Sequence, residues 1–220
     1  MNSFFSRLIF SASTAVIILV VTVAPVLALE NAYRWSGTLN QGSTSAIVTG
    51  NPTLRGNPTG WSYMRVFVQR IINGNVYYAE IGWLKGSQPE SNGIPRAYWT
   101  YRDTNGAVAQ GWGGYPGIGI GYNYRMKRTG NNTWGFYFND LNNPLLTRWV
   151  GWDTADRYGS GGETSDANQG MGDSGNNNVS YLATNGQWFG ACNMNQFITN
   201  NIYHVDNGAN CSSWRVYGNN

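Results

Sequence analysis

Short segments of alternating apolar and polar residues, rich in aromatic and β-branched side chains, recur along the chain between Gly, Asn and Pro residues. No segment sustains the apolar period of a helix, so the pattern predicts strands. The clearest predicted strands span residues 61–72, 76–84, 96–102, 122–128, 133–138, 146–152 and 212–217. We therefore predict an all-β protein, an antiparallel β-sandwich of the jelly-roll kind.

Turn signals divide these strands. Asn73-Gly74 separates the first two and supplies the positive φ angles that a tight hairpin needs. The Gly- and Asn-containing segment 128–133 links two further strands, so we expect an antiparallel hairpin at each place. Residues 158–178 are rich in Gly, Ser, Asp and Asn with almost no apolar residue, which predicts a long surface loop.

The N-terminus has the pattern of a signal peptide. Arg7 precedes an apolar stretch at residues 15–23, and Val-Leu-Ala at 26–28 forms a small-residue cleavage pattern. A membrane-crossing helix needs about 20 apolar residues, so an uncleaved anchor is the weaker interpretation. We expect cleavage after Ala28, secretion of one extracellular domain spanning residues 29–220, and no membrane association after cleavage.

The composition is typical of a protein outside the cell. Charged residues make up 11% of the chain, whereas globular domains average about 25%. Aromatic residues make up 15% and there are 29 glycines, as expected for twisted antiparallel sheets with aromatic-lined surfaces. Removal of Arg7 leaves 13 basic side chains, which are scattered, against 11 acidic ones. We therefore expect a monomer with no nucleic-acid partner.

Two residue types limit the available chemistry. Cys192 and Cys211 are the only cysteines, and in an oxidising compartment they are expected to form a disulfide. This bridge would close a 19-residue loop and contribute about 3 kcal/mol to stability. His204 is the only histidine, so neither a zinc site with several imidazoles nor a histidine-based triad is expected.

Two of the four glutamates lie in positions that suggest a role. Glu80 is in the middle of a predicted strand and shares a face with Tyr78 and Gly82, where the glycine leaves room for a ligand. That face is either a solvated outer surface or a concave binding surface. Glu163 follows a glycine run that permits close approach of the backbone; the alternative is an ordinary acidic residue of a loop.

Short motifs around these glutamates resemble the neprosin family of glutamic peptidases. Glu-Ile-Gly-Trp at 80–83 looks like that family's glutamate, any residue, glycine, tryptophan element. Arg-Ala-Tyr-Trp-Thr at 96–100 is similar to its strand ending in tyrosine, tryptophan, threonine. Gly-Gly-Glu at 161–163, followed by Gly-Met-Gly-Asp-Ser-Gly at 170–175, resembles its second glutamate and later methionine-glycine element. The motifs keep their order along the chain.

The resemblance implies a β-sandwich peptidase in which Glu80 and Glu163 activate water and protonate the leaving amine, without a metal or organic cofactor. Two facing carboxyls cannot both ionise easily, so one serves as acid and the other as base, best at acidic pH. The substrate would be a peptide or protein, with cleavage after proline as an expectation. Motif residues Trp83, Tyr98 and Trp99 would contact it.

Two other functions remain open from the sequence. A secreted jelly-roll glycoside hydrolase shares this size and composition and also uses two glutamates, about 5–5.5 Å apart in retaining enzymes. A non-catalytic carbohydrate-binding module would use aromatic faces such as Trp112, Tyr115 and Tyr122 to bind a polysaccharide. We interpret the glycine-rich segment 110–117 as a flexible loop near a groove, in which Trp112 binds substrate; the alternative is an aromatic anchor that pins the loop.

Overall fold

The computed structural model describes residues 29–55, 59–86 and 92–219. The expected signal peptide and its cleavage site therefore lie outside the described residues, apart from Leu29 at the expected new N-terminus. The part of the chain that the structure describes contains no helix long and apolar enough to cross a membrane.

Within these ranges the regular structure consists of strands. They are β1 (Glu30–Ser36), β2 (Gly42–Val48), β3 (Trp61–Ile72), β4 (Asn75–Gly86), β5 (Arg96–Arg102), β6 (Val108–Trp112), β7 (Gly121–Gly130), β8 (Thr133–Phe138), β9 (Leu146–Trp149), β10 (Arg157–Thr164), β11 (Ser174–Leu182), β12 (Trp188–Gly190), β13 (Asn195–Ile198), β14 (Tyr203–Asn207) and β15 (Trp214–Gly218).

The strands form two antiparallel sheets packed as a sandwich. The first sheet has the order β13-β1-β10-β3-β4-β5-β6, and the second has the order β14-β15-β11-β2-β7-β8-β9 with β12 paired to β11. The predicted all-β sandwich is confirmed. Because consecutive side chains of a strand point to opposite faces, the first sheet has one face toward the second sheet and one face away from it.

The core fills the space between the sheets. The first sheet contributes Met64, Ile81 and Trp83, and the second contributes Tyr124 and Phe136, all buried. These residues come from the strands that the sequence pattern identifies most clearly, since their apolar positions recur at every second residue. The outward face of the first sheet is thereby left for polar and charged side chains.

Both predicted hairpins are confirmed. Asn73 and Gly74 have φ angles of 51° and 78° and join β3 to β4, with Ile72 opposite Asn75. The segment 128–133 joins β7 to β8 and contains a register shift next to Gly130. Of the other predicted strands, 96–102 is found as β5 with both ends as predicted, and 146–152 and 212–217 are found as β9 and β15 with ends moved by up to three residues.

The prediction of a long surface loop at residues 158–178 is wrong. Most of its first part is β10, a strand paired with β1 on one side and β3 on the other, and its last part is in β11. The glycines of β10 serve close packing rather than flexibility. A side chain at Gly159 would collide with the Phe67 ring, and a Cβ at Gly162 would lie 2.5 Å from the sulfur of Met171.

The prediction of a flexible loop at 110–117 is also wrong for its first three residues, which belong to β6. The rest of the segment is fixed by hydrogen bonds. The backbone N–H of Gly113 donates to Ala97 O at 2.7 Å, and the N–H of Gly117 donates to the hydroxyl of Tyr122 at 3.1 Å. Tyr122 therefore anchors this segment.

The predicted disulfide between Cys192 and Cys211 is confirmed. Cys192 follows β12, and Cys211 lies in the turn between β14 and β15. The bridge thus ties the short edge strand β12 to the C-terminal hairpin of the second sheet.

The closeness of β3 and β4 gives a test of the packing. A Cβ at Gly82 would collide with the backbone carbonyl oxygen of Met64. We expect Gly82→Ala to lower the free energy of unfolding by about 3 kcal/mol, since backbone cannot move aside cheaply. The matched control is Gly121→Ala on β7, where the new Cβ meets only Val48 at 3.9 Å and the change should stay within about 0.5 kcal/mol. Equal effects in urea denaturation would contradict this packing.

Candidate active site

The outward face of the first sheet contains a cleft with a volume of about 550 Å³. Its floor is formed by β3 and β4, with contributions from β1, β10, β5 and β6. The charged side chains that line it are Arg65, Glu80 and Glu163. The other lining residues are aromatic, aliphatic or uncharged polar. Among the residues that the structure describes, the cleft therefore contains three charged groups.

Strand register places these three groups together. Arg65, on β3, is opposite Gly82 of β4 and Gly161 of β10. Neither glycine has a side chain, so no side chain lies directly beside Arg65 on either neighbouring strand. Glu80 is two residues from Gly82, and Glu163 is two residues from Gly161. The two glutamates thus reach Arg65 from the strands on either side of β3 and from opposite directions along β3.

Arg65 bridges the two carboxylates. Its Nε lies 3.3 Å from Glu80 Oε2, and its Nη1 lies 2.5 Å from Glu163 Oε2. The remaining nitrogen, Nη2, donates to Asn31 Oδ1 at 3.3 Å. The exposed fractions of the Arg65, Glu80 and Glu163 side chains are only 6%, 11% and 16%. These charges therefore interact in a site largely shielded from water.

One cation cannot fully neutralise two buried carboxylates. Burial raises the pKa of Glu80 to about 7, with the negative charge of Glu163 adding to the increase and Arg65 opposing it. Burial lowers the pKa of Arg65, but the two glutamates outweigh burial and the net pKa is raised. Below pH 7 Glu80 thus holds a proton, while Glu163 makes the shorter contact with Arg65. The two carboxyls are therefore not equivalent.

Aromatic side chains form one wall beside the glutamates. Tyr98 packs edge-on against Tyr63 with ring centroids 5.2 Å apart, and contacts Trp112 at 4.9 Å. The Tyr98 hydroxyl donates to Gln110 Oε1 at 2.6 Å. Burial, followed by the charge of Glu80, raises the pKa of both Tyr63 and Tyr98. Their phenols consequently stay protonated and can only act as neutral groups.

Four residues singled out from the sequence line this cleft: Glu80, Glu163, Tyr98 and Trp112. The two glutamates meet at Arg65 although they are far apart in sequence. Glu80 therefore lies in a concave cleft and not on a solvated face, and Glu163 is part of a strand and not of a loop.

The structure does not bring Trp83 and Trp99 into the cleft. Trp83 is fully buried on the opposite face of the sheet, and its Nε1 donates to Val48 O at 3.3 Å. Trp99 pairs with Ile81 and its ring packs near Phe136 of the second sheet. Each is an odd number of residues from a cleft residue on its own strand, so its side chain points into the core.

Sequence reasoning missed Arg65, Tyr63 and Asn31. Arg65 left a visible signal, since it interrupts the apolar and aromatic residues 63–68 within β3. A lone charge at such a position needs a buried partner of opposite sign. Asn31 left no comparable signal, because its role follows from the pairing of β1 with β10 opposite Glu163.

The part of the chain that the structure describes has no cluster of three or more His, Cys, Asp or Glu side chains that could hold a metal ion. The site described above is therefore built from carboxylates, one guanidinium and aromatic side chains.

No protein-family model and no curated protein sequence matches the chain. Solved structures do match it. Scytalido-glutamic peptidase with a transition state analog inhibitor aligns at a TM-score of 0.61 and 7% identity, over 86% of this chain and 97% of that chain. The same peptidase with a peptide-based transition state analog aligns at 0.57 and 8% identity, over 86% and 100%.

A third solved structure is that of SCP-B, a member of the Eqolisin family of peptidases, in a complex with the tripeptide Ala-Ile-His. It aligns at a TM-score of 0.52 and 10% identity, over 86% of this chain and 100% of that chain. At such low identity these matches show the fold alone. The chain is similar in fold to the β-sandwich of glutamic peptidases.

The raised pKa of Glu80 gives a prediction about stability. The folded protein binds this proton more tightly than the unfolded chain, whose glutamates titrate near 4.3. The resulting stabilisation is complete below the unfolded value and is lost as pH rises through about 7. The wild-type free energy of unfolding should therefore fall by about 1–3 kcal/mol between pH 4.5 and 7 from this group.

Glu80→Gln replaces the carboxyl by a neutral group of the same shape and removes this contribution. We expect urea denaturation between pH 4.5 and 8 to show a weaker decrease in stability for the variant than for the wild type. An identical slope in both proteins would contradict the assignment of the raised pKa to Glu80.

Proposed function

We propose that this protein is a secreted glutamic endopeptidase. The observation that carries the proposal is the pair of glutamates, Glu80 and Glu163, bridged by Arg65 in an open cleft. The fold similarity supports it, because two matching structures are named as scytalido-glutamic peptidase with a transition state analog and the third as an Eqolisin-family peptidase with a tripeptide. The motif resemblance to the neprosin family points to the same chemistry.

Each glutamate has a distinct task in this proposal. The ionised Glu163 accepts a proton from water as the water oxygen bonds to the carbonyl carbon of the scissile peptide. The protonated Glu80 then donates its proton to the leaving nitrogen as the C–N bond breaks. Arg65 holds Glu163 in the ionised form and limits the charge repulsion between the two carboxyls.

The walls of the cleft indicate the substrate class. The central charges are largely compensated among themselves, and Trp61, Leu84, Tyr98 and Trp112 offer apolar faces. Substrates with uncharged side chains on both sides of the cut bond fit such a surface best, because an added charge would be buried unpaired. Flat aromatic faces also suit proline rings, so cleavage after proline remains part of the proposal.

Secretion is supported by the disulfide between Cys192 and Cys211, since such bonds persist in oxidising compartments. Activity at acidic pH follows from the need for a protonated Glu80, whose pKa is about 7.

Glycan hydrolysis is the second candidate, favoured by the aromatic lining that sugars use for stacking. A glycosidase needs its two carboxyls to flank the glycosidic bond with the sugar between them. Here Arg65 lies between the two glutamates, which is a weaker arrangement for that reaction.

The proposal is tested with an uncharged, proline-containing fluorogenic peptide and a denatured protein substrate at pH 4–6. We expect cleavage by the wild type, and a loss of kcat of at least about 100-fold in both Glu80→Gln and Glu163→Gln, since each carboxyl handles a proton in the reaction. The matched control is Glu30→Gln, a glutamate at the start of β1 that does not line the cleft and should keep wild-type activity.

Circular dichroism of each variant confirms that it is folded. Full activity in either cleft variant would contradict the assigned roles. Cleavage of xylan without proteolysis would instead support a glycoside hydrolase, and neither activity in the folded wild type would support a binding module.

A further inference from the structure

A buried tyrosine hydroxyl in the cleft has no partner. Tyr63 is two residues from Arg65 on β3 and directly opposite Glu163 on β10. The residue is only 3% exposed, and its hydroxyl oxygen is buried without a hydrogen bond to any of the described residues. Leaving a buried hydroxyl unpaired is unfavourable, so phenylalanine would be the more stable choice for packing alone.

The neighbouring tyrosines differ in this respect. Tyr33, Tyr78 and Tyr98 also line the cleft, but among the described residues only Tyr63 combines a cleft position with a buried, unpaired hydroxyl. The hydroxyl of Tyr98, for comparison, is satisfied by Gln110. The unpaired group is therefore specific to one position and is not a general property of the aromatic wall.

The surroundings of Tyr63 hold its ring in place. Its ring contacts that of Tyr98 edge-on at 5.2 Å, and the Arg65 guanidinium lies 5.6 Å from its centroid. Burial and the nearby charge of Glu80 keep the phenol protonated. A fixed, neutral O–H donor thus lies beside the glutamate pair before any substrate arrives.

Arg65 is less available for the same task. Its Nε and Nη1 face the two glutamates and its Nη2 donates to Asn31. Although Nε and Nη1 form no hydrogen bond with the described residues, their charge is paired with the two carboxylates. The Tyr63 hydroxyl has neither an ion pair nor a hydrogen bond among these residues, so it is the neutral donor left for a substrate carbonyl beside the glutamates.

We propose that the Tyr63 hydroxyl donates a hydrogen bond to the carbonyl oxygen of the scissile peptide and stabilises the oxyanion. This inference rests on the proposed peptidase function. As the water oxygen bonds to the carbonyl carbon, the water proton passes to Glu163 and the C=O electron pair moves onto oxygen. Tyr63 keeps its own proton and only donates the hydrogen bond, which strengthens as negative charge develops.

The test is Tyr63→Phe, which deletes the hydroxyl and keeps the ring. With the uncharged peptide substrate we expect kcat to fall by about 100-fold while KM changes less than about threefold, because the bond is strongest in the transition state. The affinity for a peptide-based transition-state analogue, measured by calorimetry, should fall in parallel with kcat. The free energy of unfolding should stay equal or rise, since no protein hydrogen bond is lost.

The matched control is Tyr124→Phe. The Tyr124 hydroxyl is also buried, but this side chain belongs to the core between the sheets and does not line the cleft. The same deletion there should leave kcat and KM unchanged. A loss of kcat in both variants would show that the effect is not specific to the cleft and would overturn the inference.

The remaining outcomes are also decisive. An active wild type with Tyr63→Phe within about twofold of its kcat overturns the role of Tyr63 while the proposed function stands. A loss of stability in Tyr63→Phe that accompanies the loss of activity shows a structural hydroxyl and overturns it equally. A folded wild type that neither cleaves the peptide nor binds the analogue overturns the proposed function, and this inference with it.

Discussion

The site depends on one buried guanidinium shared by two carboxylates. Arg65 is surrounded by sheet and has only 6% of its side chain exposed, so its charge requires partners of opposite sign. Glu80 and Glu163 supply two, which leaves one negative charge in excess when both are ionised. Burial raises the pKa of Glu80, and the negative charge of Glu163 adds to the increase while Arg65 opposes it.

The sandwich makes this cluster possible because each strand of the first sheet has one face toward the core and one face away from it. The inward positions of β3 and β4, such as Met64 and Ile81, build the core that stabilises the fold. The outward positions are then free to hold groups that would destabilise a core. Gly82 and Gly161 add a second requirement, because the absence of side chains beside Arg65 lets the glutamates reach it from two strands. Packing and chemistry are thus fixed by the same strand register.

Strands with regular alternation of apolar and polar residues were predicted from the sequence, whereas a glycine-rich strand was not. Regular alternation identified β3, β5 and β8 with their observed ends. It also indicated that the side chains of Glu80 and Trp83 point to opposite faces of the sheet. The strand β10 was missed because Gly159 and Gly162 resemble a flexible loop in sequence. These positions are glycine because residues distant along the chain pack closely against them, and such contacts cannot be predicted from a local sequence pattern.

The candidate site was predicted in part for the same reason. Short motifs identified Glu80 and Glu163, but motif membership alone suggested Trp99 as a substrate contact, whereas its position in the strand directs it into the core. Arg65 was visible as a charge within the apolar and aromatic residues 63–68 of β3. That it joins the two glutamates depends on the pairing of β3 with both β4 and β10, which sequence analysis did not provide.

The central claim is that a protonated Glu80 and an ionised Glu163 act as acid and base in peptide hydrolysis. The most direct measurement is the pH dependence of kcat/KM for the mature protein on an uncharged peptide, since the substrate then has no titrating group. Our account predicts activity on the acidic side and a decrease with an apparent pKa of about 7 as Glu80 loses its proton. A profile that stays flat or rises from pH 6 to 9 would contradict it.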